Sequence, residues 1–221
     1  MIVTLDGPAG SGKSTLARRL ARQIGFAFLD SGALYRAAAW SAWRRGLVPT
    51  DGPAIARAMA EETIRLFANP ETAHVEVGGK DVSREIRTPE ISELVSPVAK
   101  LREVRDALIG IQRDLGARSD LVAEGRDMGT VVFPWAQLKF FLTASLGERA
   151  RRRSEELAAA GYPTDLATVE EQIIRRDRID ETREVAPLKK PDDAVLVDTT
   201  GLTIDQVLDR LLADFRRSLP R

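Results

Sequence analysis

Met1-Ile-Val-Thr-Leu-Asp-Gly-Pro-Ala-Gly-Ser-Gly-Lys-Ser14 opens as an apolar run and gives way at once to a glycine-rich loop. Met1 to Leu5 has the near-continuous apolar character of a strand covered on both faces. Gly7 to Ser14 has the spacing G-x-x-x-x-G-K-[ST]. In such a loop the glycines let the backbone curl until successive N–H groups point inward at phosphate oxygens. Lys13 adds a mobile charge for the β- and γ-phosphates, and Ser14 offers a hydroxyl to Mg²⁺. Beyond it Leu16, Leu20 and Ile24 share one helical face, with Gly25 where a C-terminal cap belongs. A helix beginning there turns its positive dipole end toward the same anion. Strand, loop and helix in this order predict a nucleoside triphosphate site built from Gly7, Pro8, Ala9, Gly10, Ser11, Gly12, Lys13, Ser14 and Thr15, with Ser14 on the metal.

Four further runs read as strands buried on both faces: Phe26 to Leu29, Leu121 to Ala123, Leu138 to Leu142, and Val195 to Val197. Helical stretches separate them, and Ile204, Val207, Leu208, Leu211, Leu212 and Phe215 form one stripe of period 3.6. Alternating strands and helices predict an α/β layered domain around a parallel sheet. Between Asp51 and Arg118 the rhythm breaks. His74-Val-Glu-Val77, Gly78-Gly79 and Lys80-Asp-Val-Ser83 read as a hairpin with a primed turn. Thr88-Pro89-Glu90 marks a helix start. This region is expected to be an insertion standing off the main sheet.

The chain has 221 residues, enough for one sizeable core with a small insertion. Its 33 basic and 33 acidic residues cancel, so no net field draws it to nucleic acid or anionic lipid. The absence of cysteine excludes disulfides, thiolate nucleophiles and cysteine metal sites. A single histidine, His74, leaves no His-rich metal centre and is expected at the surface. No run approaches the roughly 20 apolar residues of a membrane span, and the N-terminus has no signal-peptide pattern. A cytoplasmic monomer is expected.

A guanine-reading [NT]-K-x-D motif is missing. Asp198-Thr-Thr-Gly201 is expected to end the last strand and cap the final helix rather than act as a switch. Leu121-Val-Ala-Glu124 and Val195-Leu-Val-Asp198 are apolar strands ending in acid, a pattern too common to decide anything. Arginine is more telling. Asp30-Ser-Gly-Ala-Leu-Tyr-Arg36 and Glu124-Gly-Arg-Asp-Met-Gly129 follow strands, and ligands of open α/β sheets bind beyond strand carboxyl ends. Arg149, Arg152 and Arg153 share one helical face, and Arg176, Asp180 and Arg183 another. Guanidinium forks suit phosphate, so these groups predict a second anion site for a phosphate-bearing acceptor.

Five segments, in order, resemble the bacterial cytidylate kinases, a family of nucleoside monophosphate kinases. They are Leu5 to Ser14, Asp30 to Arg36, Asp81-Val-Ser-Arg-Glu-Ile-Arg87, Glu124-Gly-Arg-Asp-Met-Gly-Thr-Val-Val-Phe-Pro134 and Thr182-Arg-Glu-Val-Ala-Pro-Leu188. The resemblance implies a three-layer P-loop kinase fold with a five-stranded parallel sheet. Its core would be about 1–50, 119–146 and 182–221, its acceptor-binding insertion about 51–118 and its helical lid about 147–181. It implies Mg²⁺-dependent transfer from ATP to CMP or dCMP. Arg36, Arg126 and Arg183 would grip the acceptor phosphate, and Ser96, Arg105 and Asp127 would read the cytosine. Asp180 would hold the ribose, Ser31 and Tyr35 would line the pocket, and Arg149, Arg152, Arg153 and Arg176 would close over the transferring phosphate. Lys13, Arg126, Arg152 and Arg183 would thus carry catalysis. Trp135 departs from the small polar or acidic residue common in relatives, a change expected to alter packing rather than chemistry. The rival readings are a P-loop kinase for another small acceptor, such as UMP or a sugar acid, and a non-kinase ATPase working through partners.

Overall fold

The computed structural model describes residues 1–219, so positions 220–221 of the expected core range lie outside the described residues. The chain runs through β1 (Ile2–Asp6), α1 (Lys13–Ile24), β2 (Ala27–Asp30), α2 (Ser31–Arg44), α3 (Gly52–Glu62), β3 (Ile64–Phe67), β4 (His74–Val77) and β5 (Lys80–Asp81). It continues through α4 (Pro89–Val98), α5 (Arg102–Arg118), β6 (Leu121–Gly125), β7 (Leu138–Thr143), α6 (Leu146–Ala159), α7 (Leu166–Thr182), β8 (Val195–Asp198) and α8 (Ile204–Ser218). A turn of π-helix, Met128–Val132, follows β6.

The five apolar runs form one sheet in the order β2-β6-β1-β7-β8, parallel throughout. Its strand ends are in register: Asp6 lies opposite Gly125 and Asp30 opposite Glu124. The first carboxylates beyond the sheet are therefore neighbours at its carboxyl edge, where the chain also leaves β1 for the glycine-rich loop.

Both faces of the sheet are covered. Leu16 and Leu20 of α1 and Val207, Leu211 and Phe215 of α8 pack on Val3, Leu5, Phe140 and Leu142. On the other face Leu121 and Ala123 meet Met128, Val132 and Phe133, with Ile109 and Leu115 of α5 against them. The expectation of strands buried on both faces fails at β8, where Leu196 is 58% exposed. β8 is the last strand of the sheet, and an edge leaves one side of a strand uncovered.

The middle of the chain forms a small antiparallel sheet, β3-β4-β5. Gly78 and Gly79 both hold positive φ, 59° and 79°, as a primed hairpin turn requires. β3, which pairs with β4, was not expected; its Ile-Arg-Leu-Phe sequence is short and follows a helix without a glycine or proline signal. This small sheet packs on helices, in a cluster that includes no residue of the five-stranded sheet. Val75, Val77, Ile55 and Ile91 share one apolar cluster with Leu34 and Trp40 of α2 and Leu108 of α5. His74 is also less exposed than expected, because its ring stacks on Phe67 at 4.2 Å.

The helix ends follow local chemistry. Gly25 closes α1 in the left-handed conformation, and Thr88 caps α4 through its side chain. α8 is capped by Thr203 in a reciprocal box with Gln206. Asp198 does not cap it; its carboxylate instead accepts from Thr200 N and Oγ1.

Phe140 is wholly buried at the centre of the sheet. Phe140→Ala is expected to lower unfolding free energy by about 3–5 kcal/mol, read as a fall in the urea midpoint at unchanged slope. An unaltered midpoint would contradict the packing described.

Candidate active site

Gly7 leaves β1 at φ 148°, and a Cβ there would collide with the Leu142 carbonyl. The loop therefore hugs β7 before rising to α1. Lys13 Nζ donates to Pro8 O at 2.6 Å and lies 3.4 Å from Ser11 Oγ, both within the loop. Ser14 Oγ donates to Glu124 Oε1 at 2.7 Å. That contact joins the loop's metal-competent hydroxyl to the end of β6.

The charges here are buried and mutually dependent. Burial, then the neighbouring Asp30, pushes the Glu124 carboxyl up to about 7. Burial also works on Asp30, but Arg36 and Arg87 outweigh it and hold that carboxyl below its usual range. Lys13 is pulled down to about 7 by burial and by Arg126.

Across from the loop a cavity of about 520 Å³ opens between the sheet edge, α2, α4 and α7. Lys13 and Ser14 line one side; Ser31, Tyr35, Arg36, Ser96, Arg126, Asp127, Asp180 and Arg183 line the rest. Each comes from a different local cause. Asp30 caps α2 through Ala33 N, which starts that helix under Ser31, Tyr35 and Arg36. Arg126 Nε donates to Asp180 Oδ2 at 2.9 Å, and this carboxylate keeps the buried guanidinium firmly charged despite its desolvation. Arg183 Nη2 is 3.6 Å from Asp127 Oδ1, and Arg105 also pairs with Asp127. Arg176 is brought down to about 9 by burial and then by the repulsion of Arg126 and Arg36. Cations thus outnumber carboxylates in the cavity lining, seven to five.

Not every expected residue reaches it. Arg105 is 1% exposed and sits behind Asp127, with a second bond to the Ala99 carbonyl. It acts on the cavity through Asp127 and through Tyr35, over whose ring its guanidinium carbon lies at 5.4 Å. Arg152 does not line the cleft: Glu148 and both oxygens of Thr199 hold it at 2.8–2.9 Å. Arg149 is likewise turned away, donating to Ala9 O, Ala144 O and the Asp177 carboxylate. Only Glu148, the partner of Arg152, lies one turn away on the same helix; Thr199 and Asp177 come from elsewhere in the chain, and sequence spacing alone does not reveal them. Of the four arginines expected to close over the transferring phosphate, Arg153 and Arg176 line the cavity, and Arg175, which was not expected there, joins them. Glu124 was not anticipated as a site residue; its signal was the apolar strand ending in acid, and only its bond to Ser14 singles it out.

A phosphate-cradling loop facing an arginine-rich cavity on a parallel sheet defines a P-loop phosphotransferase. The family model described as cytidylate kinase matches residues 3–217, and the chain belongs to that family. The chain is 46% identical to a cytidylate kinase from Carboxydothermus hydrogenoformans, with 96% of each covered. It is 46% identical to another from Exiguobacterium sp., with 97% of each covered. It also matches a bifunctional pantoate ligase/cytidylate kinase from Synechococcus elongatus at 47% identity, spanning 97% of this chain and 42% of that one. Among solved structures, an uncharacterized protein from Eubacterium ventriosum aligns over 98% of both chains with a TM-score of 0.56 and 11% identity, a likeness of fold.

Because Glu124 titrates near 7 when folded against 4.5 when unfolded, the folded state keeps the extra proton between those values, and stability falls as pH rises through that window. Glu124→Gln removes this dependence. In metal-free buffer the variant should gain on wild type between pH 5 and pH 8 by something on the order of 1–3 kcal/mol, read from melting curves. A stability difference that stays flat across that range would refute the buried, protonated carboxyl.

Proposed function

We propose that the chain transfers the γ-phosphoryl group of magnesium-bound ATP to a phosphate oxygen of CMP or dCMP, releasing ADP and CDP or dCDP. The observation that carries this reading is that Lys13, on the donor loop, and Arg36, Arg126 and Arg183 line one cavity. The family adds the acceptor, since relatives matching nearly the whole chain are named cytidylate kinases.

In this reading the donor phosphates lie in the loop of Gly7 to Thr15, with Lys13 on the β- and γ-oxygens. Among the described residues no group of three or more His, Asp or Glu could hold a metal unaided. That fits magnesium, which is usually bound by phosphates, waters and one or two protein oxygens. Ser14 and Glu124 would hold it, and the ion supplies charge neutralisation on the transferring phosphates. Arg36, Arg126 and Arg183 would grip the acceptor phosphate, Asp180 the ribose, and Ser96 and Asp127 the cytosine, with Arg105 fixing Asp127. Ser31 and Tyr35 complete the pocket wall.

The acceptor needs no general base. A phosphate monoester with a second pKa of about 6 is already mostly dianionic at neutral pH. What remains is to bring two polyanions together, which the cationic cavity and exclusion of water achieve. Residues 51–118 would form the acceptor-binding part and 147–181 the lid, whose α6 and α7 are pinned to each other by Ala150, Leu157, Val169 and Ile173. Arg153 and Arg176 would move with it over the transferring group. All these groups belong to one chain, so the reading requires no partner subunit.

A coupled assay with ATP and magnesium across a panel of acceptors tests the reading. ADP release should require CMP or dCMP, with UMP and AMP poor and shikimate-like or sugar acceptors inert. ADP release independent of any monophosphate would point to the non-kinase alternative. Lys13→Met should keep the fold and lower kcat by about 10²-fold or more, in line with loss of one positioned charge at a transferring phosphate; near-normal turnover would remove Lys13 from catalysis. Asp127→Ala should reduce CMP preference over UMP and leave the KM for ATP within about threefold, whereas an intact base preference would show that Asp127 does not read the base.

A further inference from the structure

Asp6 is the last residue of β1, fully buried, and opposite Gly125 in the parallel register. Its carboxylate is near enough to Lys13 for each to act on the other's charge, but its hydrogen bonds go elsewhere. It reaches across the sheet edge to the neighbouring strand's exit, where Oδ1 accepts from Met128 N at 2.9 Å and Oδ2 from Gly129 N at 2.7 Å. Those two N–H groups open the π-turn that follows Asp127. Inside the turn, Val131 N and Val132 N both donate to the Asp127 carbonyl, at 2.9 and 3.1 Å. The backbone of Asp127 is therefore wrapped by the turn, and the turn is anchored by Asp6.

The far end of the same turn is held from the opposite side. Arg113 of α5 donates through Nε to Val132 O at 3.1 Å and through Nη2 to Val131 O at 2.9 Å, with the exposed ring of Trp135 5.4 Å from its guanidinium carbon. Two turns earlier on that helix, Arg105 grips the Asp127 carboxylate itself. The middle of the turn is pressed on the sheet: a Cβ on Gly129 would lie 3.0 Å from Thr4 Oγ1 and 3.1 Å from Pro191 Cγ. π-turns inside otherwise regular structure are uncommon and recur at functional sites. Here the turn decides where Asp127 stands.

We infer that Asp6 is a positioning residue for base recognition: through Met128 and Gly129 it fixes the turn that aims Asp127 at the acceptor, and it ties that aim to the strand from which the donor loop springs. This deepens the reading of Asp127 as a base-reading group and rests on it. Asp6 touches no substrate. It acts through the backbone of the next strand, and it couples the two halves of the cleft by a rigid, two-point contact.

The test is Asp6→Asn. An amide keeps the volume but offers one acceptor, so its NH₂ would oppose one of the two backbone N–H groups. Loss of a charge-assisted bond from a positioning network should raise the KM for CMP about tenfold and cut the preference for CMP over UMP, while kcat and the KM for ATP change less than about threefold. Gly129→Ala leaves Asp6 untouched and lifts the same turn from the sheet, so it should give the same pattern and decides the matter if Asp6→Asn does not fold. Equal increases in the KM for ATP and CMP, or an unchanged base preference in a folded variant, would overturn the positioning role. Wild-type enzyme that fails to phosphorylate CMP would instead sink the underlying reading, and this inference with it.

Discussion

Like charges that cannot escape one another are the constraint around which this molecule is organised. Arg36, Arg126, Arg176 and Arg183 line one cavity with Lys13, and burial strips most of the water that would screen them. Such an arrangement is costly unless the cations are held by partners or meet an anion. The structure uses few partners. Asp180 holds Arg126, Asp127 holds Arg105 and approaches Arg183, and Asp30 balances Arg36 and Arg87. The residual positive field is what two clustered phosphate groups would need in order to approach, and the scaffold spends stability to keep it in place.

The sheet makes that concentration possible. Parallel strands deliver their carboxyl ends to one edge, so Asp6, Asp30 and Glu124 arrive beside each other without any sequence proximity. From the same edge start the glycine-rich loop, α2 with Arg36, and the Arg126-Asp127 segment. Helix α7 closes the perimeter from a distant part of the chain, and Arg126 pairs with Asp180 across 54 residues to register it. Fold and electrostatics are therefore one design: the register of β1 against β6 decides which charges meet.

Much of this is legible in the amino-acid sequence. The Gly7 to Ser14 spacing reports its own conformation, because only glycine tolerates the close approach to Leu142 that Gly7 makes. Buried parallel strands announce themselves as apolar runs, and α8 shows its period plainly. What stayed hidden had a physical reason in each case. β3 has no turn residue ahead of it and is a strand only because β4 is there to pair with. β8 reads as buried from composition, yet edge position is a property of topology, not of the run itself. Arg149 and Arg152 have the spacing expected of a phosphate-closing set but are captured by Asp177 and Thr199, partners that only the tertiary fold brings near, with Glu148 adding a same-helix contact to Arg152. Glu124 and Asp6 look like ordinary strand ends. Their roles follow from hydrogen bonds to a neighbouring strand or loop, and no local pattern encodes these.

In the proposed reaction two anion sites face each other across one cleft, so a single molecule can fill both. Isothermal titration with adenosine and cytidine joined 5′ to 5′ through a five-phosphate bridge measures this directly. Joining the two halves should give one-to-one binding at least about 10²-fold tighter than either ATP or CMP alone, with neither nucleotide able to bind beside it. Affinity no better than that of ATP, with CMP still binding to the saturated complex, would show that the two sites do not share a cleft.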